Sequence, residues 1–179
     1  MNLRYLFLLS LFASLEKIPR ILKFLNTDKI KKSFSNFLRL SKAIKLPNDV
    51  FVHRDFHVSN IVLNQKKFHL IDSQDAVIGN PAYDLASLID DVRLKTSNSL
   101  KEEMFNHFTK KYLNRDHKKF ENDFLILSVL RNFKILGIFS RLAKRDDKNK
   151  YLKYIPYTWS LIKLRTCLLY TSPSPRDRG

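Results

Sequence analysis

Three oxygen-bearing side chains stand at a spacing that suits phosphoryl transfer. Asp55 and Asn60 belong to the stretch at residues 53–60, and Asp72 comes after two apolar runs joined by a polar turn. A carboxylate can accept the proton of an attacking hydroxyl, while an amide oxygen and a second carboxylate can hold Mg²⁺ on nucleotide phosphates. The pattern therefore predicts Asp55 as the catalytic base and Asn60 and Asp72 as the residues that bind Mg²⁺ and, through it, ATP.

The local sequence also predicts how these residues are brought together. Val50–Val52 is a short β-branched and aromatic run that reads as a strand leading into Asp55. Residues 61–63 and 68–71 are apolar runs on either side of a polar turn, which is typical of a β-hairpin. A hairpin would return the chain so that Asp72 lies beside Asn60, where both can reach one cation.

The rest of the chain has the apolar spacing of helices, so the predicted fold class is mainly α with a small β-hairpin. The predicted helices are placed at residues 3–25, 28–44, 84–93, 99–113, 120–142 and 151–164.

Two motifs resemble the aminoglycoside phosphotransferase family, whose fold is similar to that of protein kinases. They are His-Arg-Asp-x-x-x-x-Asn at 53–60 and Gly-x-Pro-x-Tyr-Asp-Leu at 79–85. The resemblance implies the C-terminal lobe of a protein-kinase-like α+β fold. It also implies ATP-dependent phosphorylation of a hydroxyl on a small molecule, with Mg²⁺ as cofactor.

Within the family, the sequence is similar to the kinases of cell-wall amino sugars. The similarity rests on the residues at 53–60, on Asp-x-Gln-Asp-Ala-Val at 72–77 and on the run at 134–142. Those enzymes phosphorylate the anomeric hydroxyl of N-acetylmuramate or N-acetylglucosamine, so the resemblance implies such an acceptor. Aminoglycosides are a poor expectation, because acids that could bind a polycation are sparse outside the motif.

Other residues near the motif have open roles. Asp75 could orient a metal-bound water, bind a second ion or stabilise the loop, and His57 could touch the sugar or a phosphate or pack as a neutral side chain. His53 and Asp84 are expected to support the structure, His53 by packing under the loop and Asp84 by accepting backbone hydrogen bonds. Arg54 could pair with an acid or approach a phosphate.

Residues farther along the chain are weaker candidates. Asp90 and Asp91 stand at the end of a predicted helix that, by resemblance, borders the acceptor pocket. Tyr83 and Trp159 are most simply read as core residues.

The length of 179 residues and 44% hydrophobic content predict one sizeable core. Only three glycines are present, so no glycine-rich phosphate loop can be drawn before residue 53. We therefore expect residues 1–166 to form a partial domain that lacks an N-terminal lobe, its main packing partner, and to be inactive alone. The alternative is a non-catalytic pseudokinase or binding module.

Both ends of the sequence call for separate interpretation. Residues 167–179 resemble the translation of a sequencing-library adaptor, so an artefactual, disordered tail is expected; a natural Ser/Pro-rich terminus is the alternative. Residues 1–15 have a positive start and a short apolar run, which permits a signal peptide but fits a core helix better.

The formal charge of +16 would ordinarily suggest a nucleic acid or an anionic membrane surface as partner. The lysines are spread over polar helix faces without interleaved aromatics, so nucleic-acid binding and membrane association are not expected. Cys167 is the only cysteine, which excludes an intrachain disulfide and fits the cytoplasm.

Overall fold

The computed structural model of the chain describes residues 35–36, 39–112 and 116–171. The helix predicted at 3–25 and the signal-peptide alternative lie outside these residues. Most of the helix predicted at 28–44 lies outside them as well, but residues 35–36 and 39–42 are helical. The described residues are mainly helical, with two small antiparallel sheets.

Four short strands form the two sheets. Strands β2 (Ile61–Asn64) and β3 (Lys67–Leu70) make the predicted hairpin, in which Ile61 is opposite Leu70. Strands β1 (Val50–Val52) and β4 (Val77–Gly79) pair antiparallel. The hairpin prediction is confirmed, whereas the pairing of β4 with β1 was not predicted, because residues 77–79 read as part of a loop.

The β1–β4 pair explains one glycine of the second motif. Gly79 lies opposite Val50, and a Cβ added to Gly79 would approach Cγ2 of the buried Val52 to 3.0 Å. A larger residue at this position would push the two strands apart. Because β1 and β4 enclose residues 53–76 in sequence, their pairing fixes where this segment begins and ends. The segment starts with the predicted catalytic loop, residues 53–60.

Four helices form the rest of the described structure. They are α1 (Ala82–Ile89), α2 (Asn98–Tyr112), α3 (His117–Asp146) and α4 (Ile155–Thr171), with a 3₁₀ turn at Asn149–Tyr154 before α4. Helix α1 is shorter than predicted, because the chain leaves the helical conformation at residue 90.

The starts of two helices follow from capping side chains. The Asp116 carboxylate accepts a hydrogen bond from the Lys119 amide (3.1 Å) at the start of α3. The Ser97 hydroxyl accepts one from the Leu100 amide (3.1 Å) at the start of α2. Each bond satisfies an amide that has no partner within its own helix.

The core lies where α1 packs on α3 and where α3 packs on α4. The larger cluster of buried apolar residues consists of Leu46, Val52, Ala82, Tyr83, Leu85, Ala86, Ile89, Phe120, Phe124, Leu125 and Leu127. A smaller cluster, between α3 and α4, consists of Val92, Ile135, Phe139 and Leu161. Burial of this apolar surface is the main source of stability for the fold, and it anchors α1 and α3 directly below the catalytic loop.

Helix α4 continues beyond residue 166, where a disordered tail was expected to begin. Residues 167–171 are helical, which corrects the expectation of disorder for that part of the tail. Of the helices in the described ranges, none combines the length and the apolar character that crossing a bilayer requires.

Candidate active site

The start of the catalytic loop is held by one carboxylate. Asp84, in the first turn of α1, accepts hydrogen bonds from the backbone amides of His53 (2.6 Å to Oδ2) and Arg54 (3.0 Å to Oδ1). Burial raises the pKa of the Asp84 carboxyl, and the two backbone hydrogen bonds partly offset that effect. Asp84 therefore fixes the direction in which the chain leaves β1 and enters the loop.

His53 connects the loop to the segment that carries Asp72. Its ring is buried, and Nε2 lies 3.0 Å from the backbone oxygen of Ile71. The His53 ring also makes an edge contact with the ring of Phe56. Because Ile71 directly precedes Asp72, this hydrogen bond sets the position of Asp72 relative to the loop.

Asn60 joins the same two segments from the other side. Its side-chain Nδ2 donates to the backbone oxygen of Asp55 (3.0 Å), and its backbone oxygen accepts from the Ile71 amide (3.0 Å). Because Nδ2 donates to Asp55, the side-chain oxygen of Asn60 points to the other side of the amide and can accept a hydrogen bond or bind a cation. Asp55, Asn60 and the Ile71–Asp72 segment are thus linked into one short unit by hydrogen bonds to Asn60.

The backbone is unusual at both ends of this unit. Arg54 has φ 75° and Asp72 has φ 68°, and both lie in the left-handed region that residues other than glycine seldom adopt. Asp is among the residues that tolerate this region best. Such strain is typical of positions whose side-chain direction matters for function.

The oxygen atoms at this unit fit a hard divalent cation. The Asn60 amide oxygen and the exposed Asp72 carboxylate are ligand types that Mg²⁺ takes, and Mg²⁺ usually keeps several waters beside one or two protein ligands. Within the described ranges, no group of three or more His, Cys, Asp or Glu side chains is placed to hold a metal. Asn60 and Asp72 could hold such an ion together with phosphates and water.

Asp75 lies close to the loop but is held through its backbone. Nη1 of Arg54 donates to the backbone oxygen of Asp75 (3.2 Å), and the Asp75 side chain is exposed. This contact gives Arg54 a role in linking the loop to the segment after Asp72. The three roles considered for the Asp75 carboxylate remain predictions.

A cavity opens on the other side of Asp55, between the loop and α3. Its lining residues are Arg54, Asp55, His57, Tyr83, Arg93, Arg131, Lys134, Ile135, Ile138 and Phe139. Cationic side chains thus face the predicted base across a small space whose floor is apolar. The cavity is small, about 60 Å³, and a hydroxyl-bearing part of a ligand could lie there beside Asp55.

His57 lines this cavity and is itself buried, with 8% of its surface exposed. Burial lowers the pKa of the His57 ring, and the positive charges of Arg93 and Arg131 lower it further, against the opposing effects of Asp91 and Asp55. The ring is therefore neutral near pH 7. Its Nδ1 atom has no hydrogen-bond partner among the described residues, so it can accept or donate one bond to a ligand.

Several cavity residues were not predicted from the sequence as site residues, among them Arg93, Arg131, Lys134 and Tyr83. Arg131 and Lys134 lie on α3, within a stretch whose apolar character suggested only a buried helix, and Tyr83 was read as core. Tyr83 is indeed buried. The available signal was two cations one helical turn apart in an apolar run, which is costly unless a partner or a ligand faces them.

Asp90 does not line the cavity beside Asp55 and lies in a buried network of hydrogen bonds and an ion pair. Its carboxylate is fully buried and accepts two hydrogen bonds from Arg165 (2.7 and 3.0 Å), one from Ser128, and lies 3.2 Å from Lys101 Nζ. Burial alone would raise the pKa of this carboxyl, but Arg165, Lys101 and Ser128 hold it below its usual value. Asp91 is also buried and pairs with Arg93 (3.6 Å).

The comparison with protein families decides the classification. The sequence profile of the phosphotransferase enzyme family matches residues 11–117. The chain belongs to this family. The matched range includes both motifs and the whole hydrogen-bonded unit of Asp55, Asn60 and Asp72, so the predicted family resemblance is confirmed.

Three curated proteins named N-acetylmuramate/N-acetylglucosamine kinase are similar to the chain. The protein from Caulobacter vibrioides is 33% identical over 115 residues, which are 62% of this chain and 32% of the relative. The Neisseria meningitidis protein is 34% identical over 113 residues (60% and 34%), and the Pseudomonas aeruginosa protein 31% over 125 residues (66% and 37%). The chain therefore spans about a third of the length of these relatives.

Proposed function

We propose that this chain is the catalytic-loop lobe, of protein-kinase-like fold, of an ATP-dependent small-molecule kinase. The proposed acceptor is a cell-wall amino sugar, N-acetylmuramate or N-acetylglucosamine. The observation that carries the proposal is the Asn60 side chain, which donates to the backbone of Asp55 while its own backbone accepts from Ile71. These bonds support the proposal that Asp55 acts as the base beside Asn60 and Asp72 as metal ligands. The names of the similar curated proteins support the choice of acceptor.

In the proposed reaction an acceptor hydroxyl lies in the cavity with its oxygen close to the Asp55 carboxylate. The hydroxyl oxygen forms a bond to the γ-phosphorus of ATP as the bond from that phosphorus to ADP breaks, and the proton passes to Asp55. The products are the sugar phosphate and ADP. Because phosphoryl transfer depends mainly on positioning, the first task of Asp55 is to orient the hydroxyl, and proton acceptance comes late.

Asn60 and Asp72 would hold Mg²⁺, which supplies positive charge to the phosphate oxygens when it is bound. The protein contributes the positions of these two ligands. His53 and Asn60 set them through Ile71, and Asp84 sets them through the amides that begin the loop.

Two further parts of the proposal concern the chain by itself. Since the 179 residues offer no glycine-rich phosphate loop, we propose that the isolated chain turns over no ATP and that its nucleotide site is completed by an N-terminal lobe. We also propose a cytoplasmic location, where ATP and cell-wall sugar precursors are both present.

The test uses the protein encoded by the complete reading frame that contains this chain. Purified protein is incubated with ATP, Mg²⁺ and N-acetylmuramate or N-acetylglucosamine, and the products are identified by ³¹P NMR. The expected product is a sugar 1-phosphate, and the 179-residue chain alone should give none. Binding of the sugar without turnover by the complete protein would instead support the non-catalytic alternative.

A further inference from the structure

The cavity beside Asp55 carries an excess of positive charge. Four of its lining residues are cationic, namely Arg54, Arg93, Arg131 and Lys134, and one, Asp55, is acidic. Charged side chains are seldom placed around a small, partly apolar space unless partners or ligands compensate them. The partners of each cation therefore decide whether the excess is real.

Three of the four cations are engaged with other protein groups. Arg93 pairs with Asp91 (3.6 Å), Arg54 donates to the Asp75 backbone oxygen (3.2 Å), and Nη1 of the buried Arg131 is 3.4 Å from the Asp90 backbone oxygen. A backbone oxygen does not neutralise a guanidinium, but the negative charges of the buried Asp91 and Asp90 also act on Arg131 and compensate part of its charge.

Lys134 differs from the other three. Within the described part of the chain, its ammonium group makes no hydrogen bond or ion pair with another residue, although the side chain is half-buried. Burial lowers the pKa of the Lys134 ammonium, and the charges of Arg54 and Arg131 lower it further, against the opposing effects of Asp55 and Asp75. An anion in the cavity would stabilise the charged form of this side chain.

The position of the cavity indicates which substrate would bring that anion. Of the described residues, neither Asn60 nor Asp72 lines the cavity, whereas Asp55 does. The nucleotide phosphates belong on the side of Asn60 and Asp72, and the hydroxyl belongs on the side of Asp55. The apolar floor of Ile135, Ile138 and Phe139 suits the hydrocarbon face of a sugar, not a triphosphate.

We propose that Lys134, with Arg131 behind it, binds a carboxylate of the acceptor and makes this a kinase that prefers acidic amino sugars. The inference rests on the proposed function and adds a specificity-determining residue to it. Of the two sugars in the names of the relatives, N-acetylmuramate has a carboxylate on its lactyl group and N-acetylglucosamine has none. The same cations would repel a polycationic acceptor.

The decisive measurement is binding, which does not depend on turnover. Calorimetry with the 179-residue chain compares N-acetylmuramate with its primary amide, which has the same shape and no charge. The acid should bind about 10- to 100-fold more tightly, as expected for a charge-assisted hydrogen bond in a partly buried site. Lys134→Met should remove most of this difference, and Lys134→Arg should retain it.

Two controls separate the inference from other effects. Lys144→Met removes an exposed lysine from the same helix and should leave both affinities unchanged. Circular dichroism of each variant checks that α3 is intact. If Lys134→Met weakens the acid and the amide equally, or if wild type binds them equally, the inference is overturned.

A second experiment tests whether the anion that Lys134 binds belongs to the acceptor or is the phosphoryl group of ATP. In the protein from the complete reading frame, Lys134→Met should raise KM for N-acetylmuramate about 10- to 100-fold and leave KM for ATP unchanged. If Lys134→Met changes KM for ATP and leaves KM for N-acetylmuramate unchanged, the inference is overturned while the kinase proposal stays in place. Preferential binding of the acid without any turnover would support the inference and overturn the kinase proposal.

Discussion

The predicted catalytic loop and the four helices below it are stabilised in opposite ways. The helices α1 to α4 are together called the helical base, or simply the base. The base surrounds Asp90, a carboxylate with no exposed surface, with Arg165, Lys101 and Ser128. The strands around the loop leave large apolar side chains in solvent, among them Phe51 (65% exposed) and Phe68 (77% exposed). The base is therefore a closed, charge-compensated structure, and the loop region presents surface that single-domain proteins usually cover.

This difference shows how the residues of the predicted site are held in place. The loop contributes few buried contacts, and its geometry comes from hydrogen bonds to the base, such as those of Asp84 with the amides of His53 and Arg54. A second tie of this kind is Asp123 on α3, whose carboxylate accepts from the amides of Lys45 and Leu46 and from Asn80 Nδ2, each at 2.8 Å. Of the predicted site residues, Asp72 is exposed and Asp55 and Asn60 are half-buried, whereas Asp123 is fully buried.

The largest change in stability is expected when the buried carboxylate of Asp90 is replaced by a neutral group. Asp90→Asn leaves Arg165 and Lys101 buried without a carboxylate, which should lower the free energy of unfolding by about 3–5 kcal/mol. Urea unfolding measures the change, and Asp147→Asn, at an exposed left-handed position that Asn tolerates, is the control. A loss no larger than that of the control would show that the base does not depend on this network.

A smaller effect is expected from pH at His57, where loop and base meet. The pKa of His57 in the folded protein lies below its ordinary value of 6.5. Well above pH 6.5 the His57 ring is neutral in the folded and in the unfolded protein, so the free energy of unfolding does not depend on its titration. As the pH falls below 6.5, the unfolded chain binds a proton that the folded chain does not, so the free energy of unfolding decreases.

Urea unfolding of wild type and of His57→Gln between about pH 7.5 and about pH 5.5 isolates this contribution. The decrease should be smaller in the variant, since glutamine does not titrate. A variant with the same pH dependence as wild type would mean that other groups cause the decrease.

The smallest effect is expected in the exposed hairpin. Gln65 and Lys66 form its two-residue turn with φ 47° and 62°, a conformation that favours Asn-Gly. Replacing the pair with Asn-Gly should stabilise the hairpin by up to about 1 kcal/mol, because side chains other than glycine and asparagine are strained there.

Amide hydrogen exchange in β2 and β3, measured beside urea unfolding, shows how far the hairpin is independent of the base. We expect slower exchange in the strands with little change in global stability. Lys67→Gly, inside β3, should act in the opposite direction. A large rise in global stability would show that hairpin and base unfold together.

The features that the sequence predicted well depend on short-range patterns. The hairpin follows from two apolar runs around a polar turn, and α3 follows from a long apolar stretch. The two motifs predicted the family correctly, because their residues are adjacent in sequence and fixed in type.

The features that were not predicted depend on contacts between distant residues. The strand β4 has three residues and forms only because β1 is available to pair with it. Arg131 and Lys134 line the same cavity as Asp55, although they are far from it in the sequence. Asp90 looked like a pocket acid, because its partner Arg165 is far away in the sequence.

The most direct test of the kinase assignment is the turnover number of Asp55→Asn in the protein from the complete reading frame, with ATP, Mg²⁺ and N-acetylmuramate. Loss of the Asp55 carboxylate should lower kcat by about 10²- to 10⁴-fold. Asp147→Asn should turn over like wild type, and both variants should unfold at the wild-type urea concentration. Equal turnover of Asp55→Asn and wild type would contradict the assignment of Asp55 as the catalytic base.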